Sequence, residues 1–115
     1  MALTDLERMH CERDLAKFLE RRRPPPHIRP QLDIGCRITG QSVEIFEIRP
    51  HWEDPKEVME HPVAKATFVR TSNRWRVFWM RRDLKWHGYQ PNAEVRSLEA
   101  FLAVVDRDEY CCFFG

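Results

Sequence analysis

The chain has no apolar run approaching the ~18 residues that a membrane-spanning helix needs, and 32% of its 115 residues are charged. It also has no Cys-x-x-Cys pair, so zinc-knuckle and dithiol redox motifs are missing. Its four cysteines, Cys11, Cys36, Cys111 and Cys112, therefore read as reduced, structural thiols. A disulfide between the adjacent Cys111 and Cys112 would close a strained ring. Glycine is scarce, with four scattered residues. This leaves no glycine-rich loop to cradle a phosphate, and Asp106, Asp108 and Glu109 lack the glycine and the spacing of a calcium loop. Lysine is scarce too: the basic residues are fifteen arginines against four lysines, a bias that suits planar, bidentate contact with anions. The opening residues, Met1 to Glu7, are acidic and helix-like rather than a secretory signal. The expectation is a cytoplasmic protein without a membrane partner.

What the chain does have is a concentrated positive segment. The formal net charge is only +1, but residues 65–87 carry seven basic residues and one acidic residue. The segments before and after are net acidic, at −2 and −3. A near-neutral protein with one basic segment points to an anionic partner, either nucleic acid or an acidic protein.

The order of elements is legible from periodicity. Residues 3–22 read as a helix capped by Thr4 or Asp5, with Cys11, Leu15, Phe18 and Leu19 on one apolar stripe. Pro24, Pro25 and Pro26 end it, and 24–31 reads as a stiff extended spacer. Residues 32–50 read as a hairpin, because Leu32, Ile34, Cys36 and Ile38 alternate with polar residues up to a Gly40-Gln41 turn of type II′. That register pairs Cys36 with Ile45, Ile38 with Val43, and Arg37 with Glu44 as a cross-strand ion pair. Residues 51–62 read as a loop. A second hairpin spans 63–83, with its turn at Ser72-Asn73 and Ala66 opposite Trp79. One of its faces collects Ala66, Phe68, Trp75, Val77 and Trp79; the other collects Lys65, Thr67, Val69, Arg74, Arg76, Phe78, Met80 and Arg82. An aromatic loop follows. Ser97 then caps a helix over 97–107, and the apolar tail 110–115 packs back on the sheet. The expected fold is an α+β single domain covering 1–115: a four-stranded antiparallel sheet of two hairpins flanked by an N-terminal and a C-terminal helix, α-β-β-β-β-α. No repeat or linker is visible, and the protein is a monomer or a homodimer.

Several of these segments carry a resemblance. The stretches Arg23–Gly35, Ser42–Pro50, Ala64–Val69 and Phe78–His87, together with the ending Phe113-Phe114-Gly115, resemble a family of small bacterial proteins defined as domain of unknown function 3024. The resemblance covers nearly the whole chain. It implies a bacterial, cytoplasmic, stand-alone protein, and it carries over no activity.

Three functional readings follow from the residues. The first is an anion-binding surface on the second hairpin and the loop after it, made of Arg70, Arg74, Arg76, Phe78, Arg81, Arg82, Lys85 and Trp86. Sheet-borne aromatics stack on bases while flanking arginines meet phosphates. The register puts Trp75 and Trp79 on the apolar face, so Phe78 and Trp86 are the aromatics left beside Arg74, Arg76 and Arg82. The bland alternative is a solvated face whose arginines pair with acids elsewhere in the chain. The second reading is metal-free ribonuclease-like acid–base chemistry by Asp83, Lys85, His87 and Tyr89, which alternate and would point one way on an extended chain. The third is a protein–protein adaptor or inhibitor that turns the basic segment to an acidic partner. Metal sites are disfavoured. Asp33 and Glu47, with Glu7, resemble a nuclease carboxylate set, but the register puts Asp33 and Glu47 on opposite faces. The histidines His51 and His61 lie too far apart, and His10, Cys11 and Cys36 with the terminal cysteines lack ligand spacing. The reading that leads is a binding protein with no cofactor or metal.

Overall fold

The computed structural model describes residues 2–114. Its first helix, α1 (Asp5–Arg22), starts at a capping box: Thr4 Oγ1 accepts from the Glu7 N–H at 3.2 Å, and Glu7 Oε1 accepts from the Thr4 N–H at 2.8 Å. Helical spacing puts Cys11, Leu15 and Phe18 on its buried side. The proline segment that ends α1 is not the extended rod expected from three prolines. The Ile28 N–H donates to Pro25 O at 2.9 Å, the Gln31 and Leu32 N–H groups both donate to Ile28 O, and Arg29 Nε donates to Pro24 O at 2.9 Å. The chain therefore folds back in turns. Arg23, just past the helix, then grips Asp33 through two contacts of 2.9 and 2.7 Å and fixes where the sheet begins.

The sheet opens with β1 (Asp33–Thr39) and β2 (Ser42–Pro50), in the register the alternation implied: Cys36 faces Ile45, Arg37 faces Glu44, and Ile38 faces Val43. Gly40 sits at φ +60°, as the first turn position of a type II′ hairpin requires. Strand β3 (Val58–Val69) begins inside the stretch expected to be loop. Its residues 58–62 are exposed, so no alternation marks them, yet they pair with β2 from Pro50 back to Phe46. A β-bulge at Val63 separates this exposed part from the rest, and Val63 and Ala64 are both buried as a result.

Strand β4 (Arg74–Met80) pairs Ala66 with Val77 and Phe68 with Trp75. This corrects the expected register by two residues, because the turn is the longer Arg70–Asn73 with Asn73 at φ 55°. A slip of two keeps side-chain parity, so the two faces of the hairpin are as expected. The four-stranded sheet is corrected as well. Two short strands, β5 (Trp86–Gly88) and β6 (Glu94–Val95), both pair with β4, making six strands. They form one edge strand interrupted at Pro91 by a 3-10 turn, Gln90–Asn92, and each piece is too short to show a period.

Helix α2 (Leu98–Arg107) is capped by Ser97 Oγ, which accepts from the Ala100 N–H at 3.1 Å. It ends at Asp108, whose φ of 41° lies in the left-handed region. The Asp108 carboxylate accepts the N–H groups of Phe113 and Phe114 at 3.0 and 2.8 Å, which turns the tail inward and buries Phe113. Both helices cover the same sheet face. Phe18, Phe101, Leu102 and Val105 pack there with Ile34, Val43, Ile45, Ala66, Trp75 and Val77, and no charged side chain is buried among the described residues. The thiols of Cys11 and Cys36 share this cover, and burial pushes them up to about 11 and about 12. The opposite face of the sheet carries no helix among the described residues.

Candidate nucleic-acid interface

Strand alternation decides what the uncovered face displays. From β4 it receives Arg74, Arg76, Phe78 and Met80; Lys65 of β3 stands opposite Phe78, Trp86 of β5 opposite Met80, and Glu94 of β6 opposite Arg76. Phe78 and Trp86 are half-buried, so each offers part of a ring to solvent. The Lys65 ammonium sits 4.9 Å from the Phe78 ring centroid and 5.1 Å from that of Trp86. Sequence reasoning put Lys65 on this face but left it out of the site; its parity with Phe78 was the available signal.

The charges on this face divide by region. At the β1–β2 end, Arg37 pairs with Glu44 at 3.9 Å and with Glu60, and its guanidinium lies 4.3 Å from the Phe46 ring. At the β3–β4–β5 end, no carboxylate forms an ion pair with Lys65, Arg74, Arg76, Arg81, Arg82 or Lys85 among the described residues. The side chains of these six residues also make no hydrogen bond there, although Glu94 is Arg76's cross-strand neighbour.

Arg70 is the exception in the basic segment. Its guanidinium meets both Glu7 oxygens at 3.0 and 3.1 Å and lies 5.4 Å from the Phe68 ring, on the covered side of the sheet. Glu7's carboxyl is held down at about 2, chiefly by this guanidinium and then by the Thr4 N–H. The structure thus separates Arg70 from the cluster it was grouped with. Arg81 also departs from the open face: its guanidinium lies 5.4 Å from the Trp79 ring, on the helix side. Arg82 and Lys85 are exposed in the turn between β4 and β5.

The four residues of the acid–base reading do not converge. Leu84 at φ 61° and its N–H donating to Arg81 O at 2.9 Å make residues 81–85 a tight turn, not an extended strand. Within it His87 Nε2 meets Asp83 Oδ2 at 2.8 Å, and Lys85 contributes its backbone N–H to Asp83 Oδ1 at 3.0 Å. The His87 contact, followed by the Lys85 N–H, keeps the Asp83 carboxyl below its usual range. Tyr89 is fully buried, its ring 4.8 Å from that of Phe113, and burial raises its hydroxyl. His87 does border an open cleft of about 520 Å³, with Trp79, Arg81, Gln90 and Cys112 among its walls. The cleft lies across the sheet from Phe78 and Trp86.

Metal ligation finds no support in the geometry. No group of three or more His, Cys, Asp or Glu side chains able to hold a metal ion occurs among the described residues. Asp33 is taken by Arg23, and Ile34, not Asp33, stands opposite Glu47, so those two carboxylates project to opposite faces. No helix is long and apolar enough to cross a membrane among the described residues.

No curated protein and no solved structure matches the chain. One family model does, over residues 3–115, and it is the family that the proline segment, the β2 stretch and the Phe78–His87 stretch resemble. The chain belongs to the family described as Domain of unknown function (DUF3024).

Proposed function

We propose that the β3–β4–β5 end of the open sheet face binds single-stranded nucleic acid in the bacterial cytoplasm. The observation that supports this most is the set of five basic side chains, Lys65, Arg74, Arg76, Arg82 and Lys85, that have no carboxylate partner among the described residues and stand around or beside two half-exposed aromatic rings. A face that only solvated itself would neutralise its arginines with the acids next to them, as the β1–β2 end does with Arg37. Phe78 and Trp86 are the stacking surfaces, because bases of any identity have a π-face to lay on them. Arg74, Arg76, Arg82 and Lys85 are the phosphate contacts, and Lys65, held between the rings, adds a cation where a backbone would pass. The four free cysteines fit a reducing compartment.

The test is a fluorescence-anisotropy titration of nuclease-treated protein with labelled single-stranded RNA, single-stranded DNA and duplex DNA at two salt concentrations. Saturable binding to the single strands is expected, falling as salt rises by about 0.7 of a log unit per log unit of salt for each phosphate contacted. An Arg76→Glu, Arg82→Glu double variant is expected to lose binding by at least tenfold, the effect of ~1.4 kcal/mol. No binding to any of the three at low salt would sink the proposal and leave an acidic protein as the partner for the basic segment.

The His87–Asp83 contact favours one second reading, a ribonuclease-like activity at the cleft. It is separable from binding: His87→Ala abolishes RNA cleavage and leaves affinity intact if the cleft is catalytic. Absence of cleavage by the unmodified protein removes it.

A further inference from the structure

The ribbon formed by the outer halves of β2 and β3 projects beyond the rest of the sheet. Among the described residues it has no β1 partner past Ile48, and residues 58–62 of β3 have β2 on one side and no β4 partner on the other. Its tip is ordered from within. The His51 N–H donates to Glu57 O at 2.8 Å, the Lys56 N–H to Asp54 Oδ1 at 3.0 Å, and the Glu53 N–H to His51 Nδ1 at 3.1 Å. On this tip three large apolar side chains face water: Trp52 is 84% exposed, Val58 67% and Met59 41%. A nearly bare tryptophan on an ordered turn leaves apolar surface in water that the chain's own core does not reach. The same tip is acidic. Glu53, Asp54, Glu57 and Glu60 stand against Lys56 and Arg49, Arg49 is held by Glu47, and of the four acids only Glu60 has an ion-pair partner among the described residues.

The register places a complement beside it. β4 ends next to the bulge of β3, so the β4–β5 turn emerges at the same end of the sheet as the ribbon. That turn carries Arg81, Arg82 and Lys85, none with a carboxylate partner among the described residues, its one acid Asp83 being held by His87, and Leu84, 80% exposed. One end of the molecule thus holds an acidic, apolar tip and a basic, apolar turn, each unneutralised by the other.

We propose that a second copy of this chain neutralises both: two copies meet end to end about a twofold axis, each ribbon tip lying on the partner's β4–β5 turn. A twofold axis at that end reverses the partner, so each tip is brought to the opposite molecule's turn and the contact closes with two copies. Trp52 at the tip then covers Leu84, while Glu53, Asp54 and Glu57 face Arg81, Arg82 and Lys85. Tryptophan anchors of this kind dominate the energy of small interfaces. The inference goes beyond the nucleic-acid reading and does not rest on it, since it concerns the protein without nucleic acid. Because the turn supplies Arg82 and Lys85 to both, RNA and the second copy compete.

Sedimentation velocity on nuclease-treated protein over a range of concentrations tests it. The protein is expected to sediment as a dimer at low salt and to dissociate as salt screens the pairs. Trp52→Ala is expected to weaken association at least tenfold. The deciding measurement is a charge swap. A Glu53→Arg, Glu57→Arg variant has a basic tip and a basic turn; an Arg81→Glu, Arg82→Glu variant has an acidic tip and an acidic turn. Each alone is expected to be monomeric, and their equimolar mixture to form a heterodimer with both contacts restored. All the substituted positions are exposed, and circular dichroism of each variant checks that it is folded. A monomeric parent protein overturns the proposal. So does a dimer indifferent to both variants, or a mixture that stays monomeric.

Discussion

The two faces of the sheet are made by the same strands and obey opposite rules. On the covered face, Val43, Ile45, Ala66, Trp75 and Val77 meet the helices and no charge is buried among the described residues. On the open face, one residue along each strand, charges and rings alternate: Arg37, Glu44 and Phe46 at one end, Lys65, Arg76, Phe78 and Trp86 at the other. Stability explains the first face. It explains only half of the second, because Arg37 is neutralised by Glu44 and Glu60 while Arg74 and Arg76 are left uncompensated. An exposed ion pair contributes little to stability, so the unpaired Arg74 and Arg76 cost the fold little and are available for the anion contacts proposed above.

Truncating one ring on each face separates the two rules most sharply. Phe101, with no exposed surface, anchors α2 on the covered face. Phe101→Ala is expected to cost about 3–5 kcal/mol, read as a lowered denaturant midpoint. Phe78→Ala on the open face is expected to cost less than about 1.5 kcal/mol of stability, because part of that ring is already in water. Its effect falls on binding, where loss of one stacked base is worth ~1–3 kcal/mol. Equal destabilisation by the two changes would mean that the open face is structural after all.

A smaller effect probes the paired end of that face. Gly35 stands opposite Phe46, and a Cβ built there would come within 2.7 Å of the Phe46 ring. The absent side chain is what lets the ring lie flat against β1 under Arg37. Gly35→Ala is expected to push the ring aside and cost about 1–3 kcal/mol, measured by thermal unfolding. Nucleic-acid affinity should be unchanged, since Phe46 lies at the other end of the face from Phe78 and Trp86.

What the sequence made legible follows the same division. The β1–β2 register was readable because three things agreed: alternation, a glycine in the first turn position, and an Arg37–Glu44 pair. The faces of β3 and β4 were readable too, since parity survives a two-residue slip, although the turn did not. Three features were hidden. The outer half of β3 has no buried face and thus no period. β5 and β6 are too short to have one. The turns after the prolines are closed by the Ile28, Gln31 and Leu32 N–H groups and by Arg29 reaching back to Pro24 O, which no composition rule marks. At the candidate site, spacing placed Arg74, Arg76 and Phe78 together because a strand fixes its neighbours at every second residue. It grouped Asp83 with Lys85, His87 and Tyr89 only by assuming an extended chain, and the turn at Leu84 with its φ of 61° breaks that assumption. Arg70 was grouped by sequence proximity, whereas its partner Glu7 lies 63 residues away.

That partnership gives the smallest prediction, and it tests what pairing does to a cation in the basic segment. Glu7 is held at about 2 in the folded protein, against a usual value of 4.5, mainly because Arg70 donates to its carboxylate. A carboxyl with a depressed folded value stabilises the fold fully above its unfolded value. The stabilisation declines as pH falls from about 4.5 and is gone once pH passes below about 2. Glu7→Gln keeps an oxygen able to accept from the Thr4 N–H, so the helix cap is retained and only the charge is removed. The variant is expected to unfold at a slightly lower temperature at neutral pH and to show a flatter loss of stability between pH 4.5 and 2. The effect is small because both side chains are about one-third exposed, at 38% for Arg70 and 32% for Glu7, and water screens them. Arg70→Gln should reproduce the flattened acid limb and leave nucleic-acid affinity untouched, while Arg76→Gln should do the reverse. If Arg70→Gln weakened binding as much as Arg76→Gln, pairing with Glu7 would not have removed Arg70 from the anion-binding set, and the division between compensated and uncompensated cations would lose its functional meaning.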